Sequence, residues 1–156
     1  MTHENDYSAA DEVVQYQGRH LRFGWASILI FMSLGLVLEA MHGLKIGFYL
    51  DVNNETRRFL WRLAHAHGVL TGLLNLAFAA TLTMLPNLRN TLLRIASRCL
   101  IAGTVLLPGG FFLGGVRFYG GDPGAGILLS LIGAISLLVA TGLTTRGTRR
   151  FGKRDD

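Results

Sequence analysis

Charged residues are scarce in this chain. They make up 16% of its 156 residues, whereas a soluble domain of this size usually carries about a quarter. The charges that exist collect in short blocks, and the long apolar stretches between them carry almost none. Half of the residues are hydrophobic and the mean hydropathy is +0.38. The scarcity of charge therefore argues against an ordinary soluble domain and indicates a single membrane-embedded one.

Three further features are missing. The single cysteine, Cys99, cannot form an intramolecular disulfide, which excludes a disulfide framework. No nucleic-acid motif accompanies the net charge of +5, and the basic residues flank apolar segments instead of forming a stripe, so no nucleic-acid partner is predicted. Residues 1–21 are polar, so no cleavable signal peptide is visible and the first apolar segment is itself a span.

Four apolar segments are long enough to cross a membrane. A hydrocarbon core of about 30 Å requires roughly 20 apolar residues in a helix, and an open strand would leave its backbone unpaired in lipid. The predicted spans are residues 23–44, 59–85, 95–116 and 125–143. The predicted fold class is an all-α, integral membrane four-helix bundle with up-down topology. Its transmembrane domain, 22–145, lies between a polar N-terminal tail (1–21) and a basic C-terminal tail (146–156).

The distribution of Lys and Arg predicts the orientation, because loops rich in these residues stay in the cytoplasm. With four spans, both termini and the second loop share one side. That side holds ten basic residues, Arg19, Arg22, Arg89, Arg94, Arg98, Arg146, Arg149, Arg150, Lys153 and Arg154. The other side holds five, Lys45, Arg57, Arg58, Arg62 and Arg117. Both termini are therefore predicted to be cytoplasmic, in a bacterial inner membrane whose lipid bilayer is the first partner.

Four ionisable residues stand out inside the predicted spans: Glu39, His42, His65 and His67. Burying an ionisable group costs on the order of 2.5–3.5 kcal/mol at the middle of a membrane and less near its surface. Each of these side chains is therefore expected to have a partner or a function that offsets the cost. Both pairs lie at similar depth in the outer half, on helices that a short hairpin makes antiparallel neighbours. Glu39 and His42 are three residues apart and share one helix face, as in carboxylate-bridged metal sites.

His65 and His67 are two residues apart, roughly 200° around a helix. One of them therefore faces Glu39 and His42 while the other points elsewhere. We predict a metal or haem site from Glu39, His42 and one or both of these histidines. Neutral imidazoles suit haem iron, copper or zinc, and a carboxylate shifts the preference toward zinc or non-haem iron. Arg62 precedes His65 by one turn and can pair with Glu39, which would lower the cost of the carboxylate without a metal.

The third span contains the glycine-rich segment LPGGFFLGG. Pro108 removes one helical hydrogen bond, so a kink is expected. Gly110 and Gly114 form a G-x-x-x-G pattern, which permits close approach of another helix. Together with Gly109, these residues either support a pocket at the depth of the histidines or serve helix packing alone.

Two pairs of residues receive structural interpretations. Asn75 and Thr71, in the second span, are predicted to make interhelical hydrogen bonds. Trp25 and Trp61, near the ends of their spans, are interpreted as anchors at the membrane surface.

The run RLAHAHG, residues 62–68, resembles the His-Ala-His segments of membrane proteins related to the haem–copper oxidase catalytic subunit. The resemblance covers seven residues and implies histidine ligation of haem or copper within a helical bundle. Those proteins have more spans and further ligand histidines than this chain, so no oxygen-reducing centre is implied.

Three functions are compatible with these features. The first is a redox accessory that binds a metal ion or haem near its outer face, within a membrane redox complex or a homo-oligomer. The second is a non-catalytic assembly or interaction protein whose Glu/His cluster is a structural polar network. The third is a proton-coupled carrier that uses Glu39 as an oligomer, with an interface from the third span or from Gly126, Ser130, Gly133 and Ala134. Covalent catalysis is not predicted, because Cys99 lies far from every histidine in the bundle.

Overall fold

The computed structural model describes residues 2–51, 53–84 and 91–148, and these residues form four α-helices. The helices are α1 (Thr2–Gly43), α2 (Thr56–Met84), α3 (Thr91–Val116) and α4 (Ile127–Thr148). In these ranges the one β-type feature is an isolated bridge between Tyr119 and Asp122, in the α3–α4 connection. All four helices are long and apolar enough to cross a membrane. The all-α class and the number of helices able to span are therefore as predicted.

Some predicted features lie outside the described residues. These are Leu85 at the end of the second predicted span, Arg89 in the second loop, and residues 149–156 of the basic tail. The remaining boundaries of the predicted spans fall inside the observed helices or within two residues of their ends.

Helix α1 extends well beyond its predicted span. It has 42 residues, about 63 Å at 1.5 Å per residue, which is roughly twice the thickness of a hydrocarbon core. Residues 2–21, predicted to be a polar tail, are helical and continue α1. Val13 in this part is 6% exposed and belongs to a core cluster with the other three helices. The buried members of this cluster are Val13, Phe78, Leu82, Leu93, Ala96, Leu100 and Ala140.

Each helix packs antiparallel on its neighbour in the sequence. In the α1–α2 pair, for example, Gly24 lies against Gly72 and Gly35 lies against His65. Within the described residues, the backbone of α4 approaches neither that of α1 nor that of α2. The helices therefore pack in sequence order, and all four contribute to the Val13 cluster at one end of the bundle. We call this the terminal end. The opposite end, with the α1–α2 and α3–α4 connections, is the connection end.

Glycines set the short distance between α3 and α4. A Cβ atom on Gly110 would lie 2.3 Å from the backbone nitrogen of Ser130, and one on Gly133 would lie 2.4 Å from the backbone nitrogen of Leu107. Ser130 Oγ also donates to the Leu107 carbonyl, at 2.9 Å. Gly126 approaches α3 in the same way. Gly126, Ser130 and Gly133 of α4 therefore pack against α3 within one chain.

An aromatic cluster closes the connection end. Trp61 is only 9% exposed and stacks on Phe112, with ring centroids 5.2 Å apart, and its Nε1 donates to the Phe112 carbonyl at 3.1 Å. The guanidinium of Arg57 lies 3.8 Å from the centroid of the Phe48 ring. The interpretation of Trp61 as a surface anchor is therefore wrong, since its indole finds a partner on α3. Trp25 is 62% exposed, as an anchor requires.

Candidate functional site

A pocket of about 530 Å³ lies between α1 and α2 near the connection end. Its polar lining residues are Glu39, His42, Tyr49, Arg58, Arg62 and His65. Its apolar lining residues are Met32, Gly35, Leu36 and Leu38. We call this cavity the Glu39 pocket. Three of the four predicted metal or haem ligands, Glu39, His42 and His65, line it together.

A backbone carbonyl sets the tautomer of His65. Its Nδ1 lies 2.7 Å from the carbonyl oxygen of Phe31 on α1. Because a carbonyl only accepts hydrogen bonds, Nδ1 carries the proton, and Nε2 of the neutral ring keeps its lone pair. Histidines that bind metals have this same arrangement, with the other ring N–H donated to a carbonyl or carboxylate. The Phe31 carbonyl therefore fixes the orientation of the His65 ring and leaves Nε2 as its second nitrogen.

Gly35 provides the space that the His65 ring occupies. A Cβ atom at position 35 would lie 2.4 Å from Cε1 and 2.5 Å from Nδ1 of His65. The imidazole therefore packs directly on the backbone of α1, which is how it reaches the Phe31 carbonyl. Nothing in the sequence singled out Gly35, because the need for a small residue comes from the opposite helix.

Gly35→Ala is expected to weaken ligand binding at the Glu39 pocket by about 10- to 100-fold, the usual effect of losing a hydrogen bond that orients a ligand histidine. The added methyl group displaces the ring and breaks its bond to Phe31, whereas alanine in a helix interior is favoured over glycine by up to about 1 kcal/mol. Binding should therefore fall while the free energy of unfolding changes little. A haem titration measures the affinity of the variant, and an unfolding curve measures its free energy of unfolding. A loss of unfolding free energy as large as the loss of binding free energy would contradict this role.

His67 lies apart from the Glu39 pocket. Its Nδ1 lies 2.9 Å from the Leu63 carbonyl one turn earlier in α2. Its ring packs against Phe111 of α3, with centroids 5.0 Å apart. Of the two histidines, His65 is thus the one on the side of Glu39 and His42, and His67 belongs to the contact between α2 and α3.

The charges around the Glu39 pocket are of both signs. Arg58 forms an ion pair with Glu55. The predicted pair between Glu39 and Arg62 is not formed in the part of the chain that the structure describes, although both residues line the cavity. Burial raises the pKa of the Tyr49 phenol, so Tyr49 remains a hydrogen-bond donor at neutral pH.

The donor set among the described residues is smaller than a bare metal ion requires. No group of three or more His, Cys, Asp or Glu side chains close enough to hold a metal ion occurs among the described residues. A protein site for zinc needs at least three such ligands. Haem iron is held by its porphyrin and requires as few as one histidine from the protein. A single oriented imidazole in a large pocket fits the second case.

The glycine-rich segment of α3 serves helix packing. Pro108 is fully buried inside α3, which continues to Val116. Gly110 and Gly114 lie against α4, and a Cβ atom on Gly109 would have open space around it. In the described residues none of these four lines the Glu39 pocket. Of the two readings of this segment, packing is therefore the one that the geometry supports.

A second polar site was missed by the sequence analysis. His20 is completely buried, as are Asn75 and Ser97. His20 Nδ1 lies 2.7 Å from Asn75 Oδ1, and His20 Nε2 lies 2.8 Å from Ser97 Oγ. The ring also packs edge-on against Phe78, at 4.6 Å between centroids. One histidine of α1 thus joins α2 and α3 in the interior.

The hydrogen bonds of this network form a chain of donors that runs from Arg19 to Thr104. Arg19 Nη2 donates to Ser97 Oγ at 2.9 Å. Asn75 Nδ2 donates to the Thr71 carbonyl and to Thr104 Oγ1, both at 2.8 Å. Asn75 Oδ1 is therefore the acceptor for His20 Nδ1–H, and Nε2 accepts from Ser97. Every buried side-chain nitrogen and oxygen of the described residues has a partner, so the network is a structural clamp.

The prediction for Asn75 and Thr71 is confirmed for Asn75 alone. Asn75 bonds across to His20 and Thr104, whereas the Thr71 hydroxyl bonds to the Gly68 carbonyl within α2. A signal for His20 did exist. Val13, His20 and Ser27 are all buried and are seven residues apart, which is the spacing of one helix face.

Asn75→Ala is expected to lower the free energy of unfolding by about 1–3 kcal/mol, because His20 and Thr104 each lose a buried partner. The lower limit corresponds to the loss of two interhelical hydrogen bonds, which average about 0.6 kcal/mol each in membranes. Thr145→Ala is the matched control, since the exposed Thr145 hydroxyl bonds only to the Thr141 carbonyl of its own helix. Equilibrium unfolding in mixed micelles measures both. Equal effects would contradict a clamp at Asn75.

No family model, curated protein or solved structure matches this chain. The resemblance of residues 62–68 to haem–copper oxidase segments therefore stays a prediction. Of the Glu39 pocket and the His20 network, the second has all its buried side-chain polar atoms satisfied.

Proposed function

We propose that this chain is a small membrane protein that binds haem in the Glu39 pocket, as an accessory of a membrane redox system. His65 would hold the haem iron, through Nε2. The observation that carries the proposal is the 2.7 Å hydrogen bond from His65 Nδ1 to the Phe31 carbonyl. It holds the imidazole in one orientation and leaves Nε2 as the nitrogen for a ligand contact, which is the arrangement of a haem- or metal-binding histidine.

The remaining lining residues support the same ligand. A porphyrin is flat and largely apolar, and Met32, Leu36 and Leu38 supply apolar contacts. Haem propionates are anionic, and Arg62, which forms no ion pair among the described residues, supplies a guanidinium group that binds carboxylates well. A bare metal ion is the variant of this proposal in which a partner chain supplies the further ligands beside His65, because no three His, Cys, Asp or Glu side chains of the described residues are close enough to hold one.

The proposed orientation places this pocket near the outer face of a bacterial inner membrane. Ten basic residues belong to the side with both termini and five to the other side, and the richer side stays in the cytoplasm. The cofactor would then be exposed to periplasmic redox partners instead of cytoplasmic ones.

An absorption spectrum and elemental analysis of the detergent-purified protein test the proposal. Haem gives a Soret band and about one iron per chain, whereas a bare ion gives stoichiometric metal without that band. A preparation that stays colourless after addition of haem, and that contains no stoichiometric metal, would overturn both variants.

A second candidate function is a non-catalytic assembly protein, in which the pocket residues contact a partner chain. It is favoured by one observation: no buried side-chain polar atom of the described residues lacks a partner, so no group requires a cofactor for its hydrogen bonds. This candidate predicts a colourless protein in which His65→Ala reduces stability or partner binding without any spectral change.

A further inference from the structure

A second cavity, of about 380 Å³, lies along the N-terminal part of α1. Its lining residues among those described are Glu12, Gln15, Tyr16, Arg19 and Arg22. The apolar run of α1 begins directly afterwards, so in a membrane this cavity lies at the depth of the lipid headgroups. It is at the terminal end of the bundle, opposite to the Glu39 pocket, and the proposed haem function makes no use of it.

The guanidinium of Arg19 is held in place from two sides. Its Nη2 donates to the buried Ser97 hydroxyl at 2.9 Å, and its Cζ lies 4.6 Å from the centroid of the Tyr16 ring. Holding a long side chain in one position lowers the entropy that ligand binding costs. Arg19 is therefore pre-positioned to bind an anion, unlike a surface arginine that moves freely.

Arg22 lies one turn closer to the apolar run. Its Nε donates to the Gly18 carbonyl at 3.1 Å, and its terminal nitrogens make no hydrogen bond within the described residues. The acidic residue of the cavity, Glu12, is paired with Arg94 at 3.2 Å. Its charge is thus compensated from α3, and the cavity keeps two cationic groups for an anion.

We infer that Arg19 and Arg22 bind the phosphate of an anionic phospholipid headgroup. Guanidinium groups bind phosphate oxygens in pairs, and basic sites beside helices on the cytoplasmic side are typical of such lipids. A lipid fits better than a soluble phosphate because exposed apolar side chains lie beside these arginines. Leu21, 45% exposed, is adjacent to Arg22, and Trp25, 62% exposed, lies one turn further toward the apolar run. They offer apolar contacts to the acyl chains of the same molecule.

The test compares binding of phosphatidylglycerol and phosphatidylcholine to the full chain in a neutral detergent, by native mass spectrometry. Phosphatidylglycerol is expected to bind about tenfold tighter or more, since each arginine near a membrane surface adds roughly fivefold. Arg22→Gln should weaken it about fivefold. Arg19→Gln should weaken it at least as much and also destabilise the protein, because the Ser97 contact is lost.

Arg98→Gln is the matched control. Arg98 is exposed on α3, at the same end of the bundle as this cavity, and does not line it. It should change the affinity less than twofold, by roughly the effect of general surface charge. Three outcomes would overturn the inference: equal affinity for the two lipids, equal effects of Arg22→Gln and Arg98→Gln, or complete displacement of phosphatidylglycerol by millimolar inorganic phosphate. None of these outcomes depends on haem binding, so the two proposals fail separately.

Discussion

His65→Ala is expected to abolish haem binding while the helices stay folded. The variant removes the one imidazole whose orientation is set by a backbone carbonyl and that lines the Glu39 pocket. Losing an orienting partner of a ligand histidine already costs about 10- to 100-fold, so loss of the ligand itself should exceed about 100-fold. The Soret absorbance of the purified variant after haem addition measures the loss, and circular dichroism reports the fold.

His67→Ala is the matched control for that experiment. His67 lies two residues away on the same helix, but it packs on Phe111 and does not line the pocket. The variant should keep the full Soret band and lose only its ring contact, about 0.5–1.5 kcal/mol of stability. Retention of haem by His65→Ala together with its loss in His67→Ala would place the ligand between α2 and α3 and contradict the proposed site.

Gly110→Ala is expected to destabilise the protein by about 1–3 kcal/mol, the usual cost of forcing an extra carbon into a packed interface. The new Cβ atom would lie 2.3 Å from the backbone nitrogen of Ser130 and 2.9 Å from the carbonyl oxygen of Gly126. Backbone atoms cannot rotate away, so α3 and α4 must separate. Unfolding in mixed micelles measures the loss of free energy.

The adjacent glycine provides the control. A Cβ atom on Gly109 would meet nothing within 4 Å, so Gly109→Ala should be neutral or stabilising by up to about 1 kcal/mol through helix propensity. Equal losses from both variants would show that the segment needs glycine for a reason other than the contact with α4. Folded Gly110→Ala protein should also keep its haem, because the Glu39 pocket is lined by α1, α2 and their connection.

The features that sequence analysis predicted well depend on short-range patterns. Four apolar runs predict four helices because each run must satisfy its own backbone in lipid. The spacing of Glu39 and His42 places both on one helix face, and they do line one cavity. The separation of His65 from His67 by roughly 200° also follows from helix geometry alone.

The errors concern side chains whose surroundings come from another helix. His20 was assigned to a polar tail because local composition around it is polar, yet Asn75 and Ser97 enclose it. Trp61 was assigned to the membrane surface by its position in its span, yet Phe112 covers it. In both cases the partner is more than fifty residues away in the sequence, beyond the reach of any local pattern.

The sequence by itself determined the number of helices, their approximate limits and the faces on which charged side chains stand. These follow from hydropathy and helical periodicity, which act within one segment. The tertiary structure alone decided which histidine joins Glu39, that Gly35 gives His65 its space, and that the glycines of α3 pack on α4. Those outcomes depend on how close two helices approach, and that distance is set jointly by side chains on both of them.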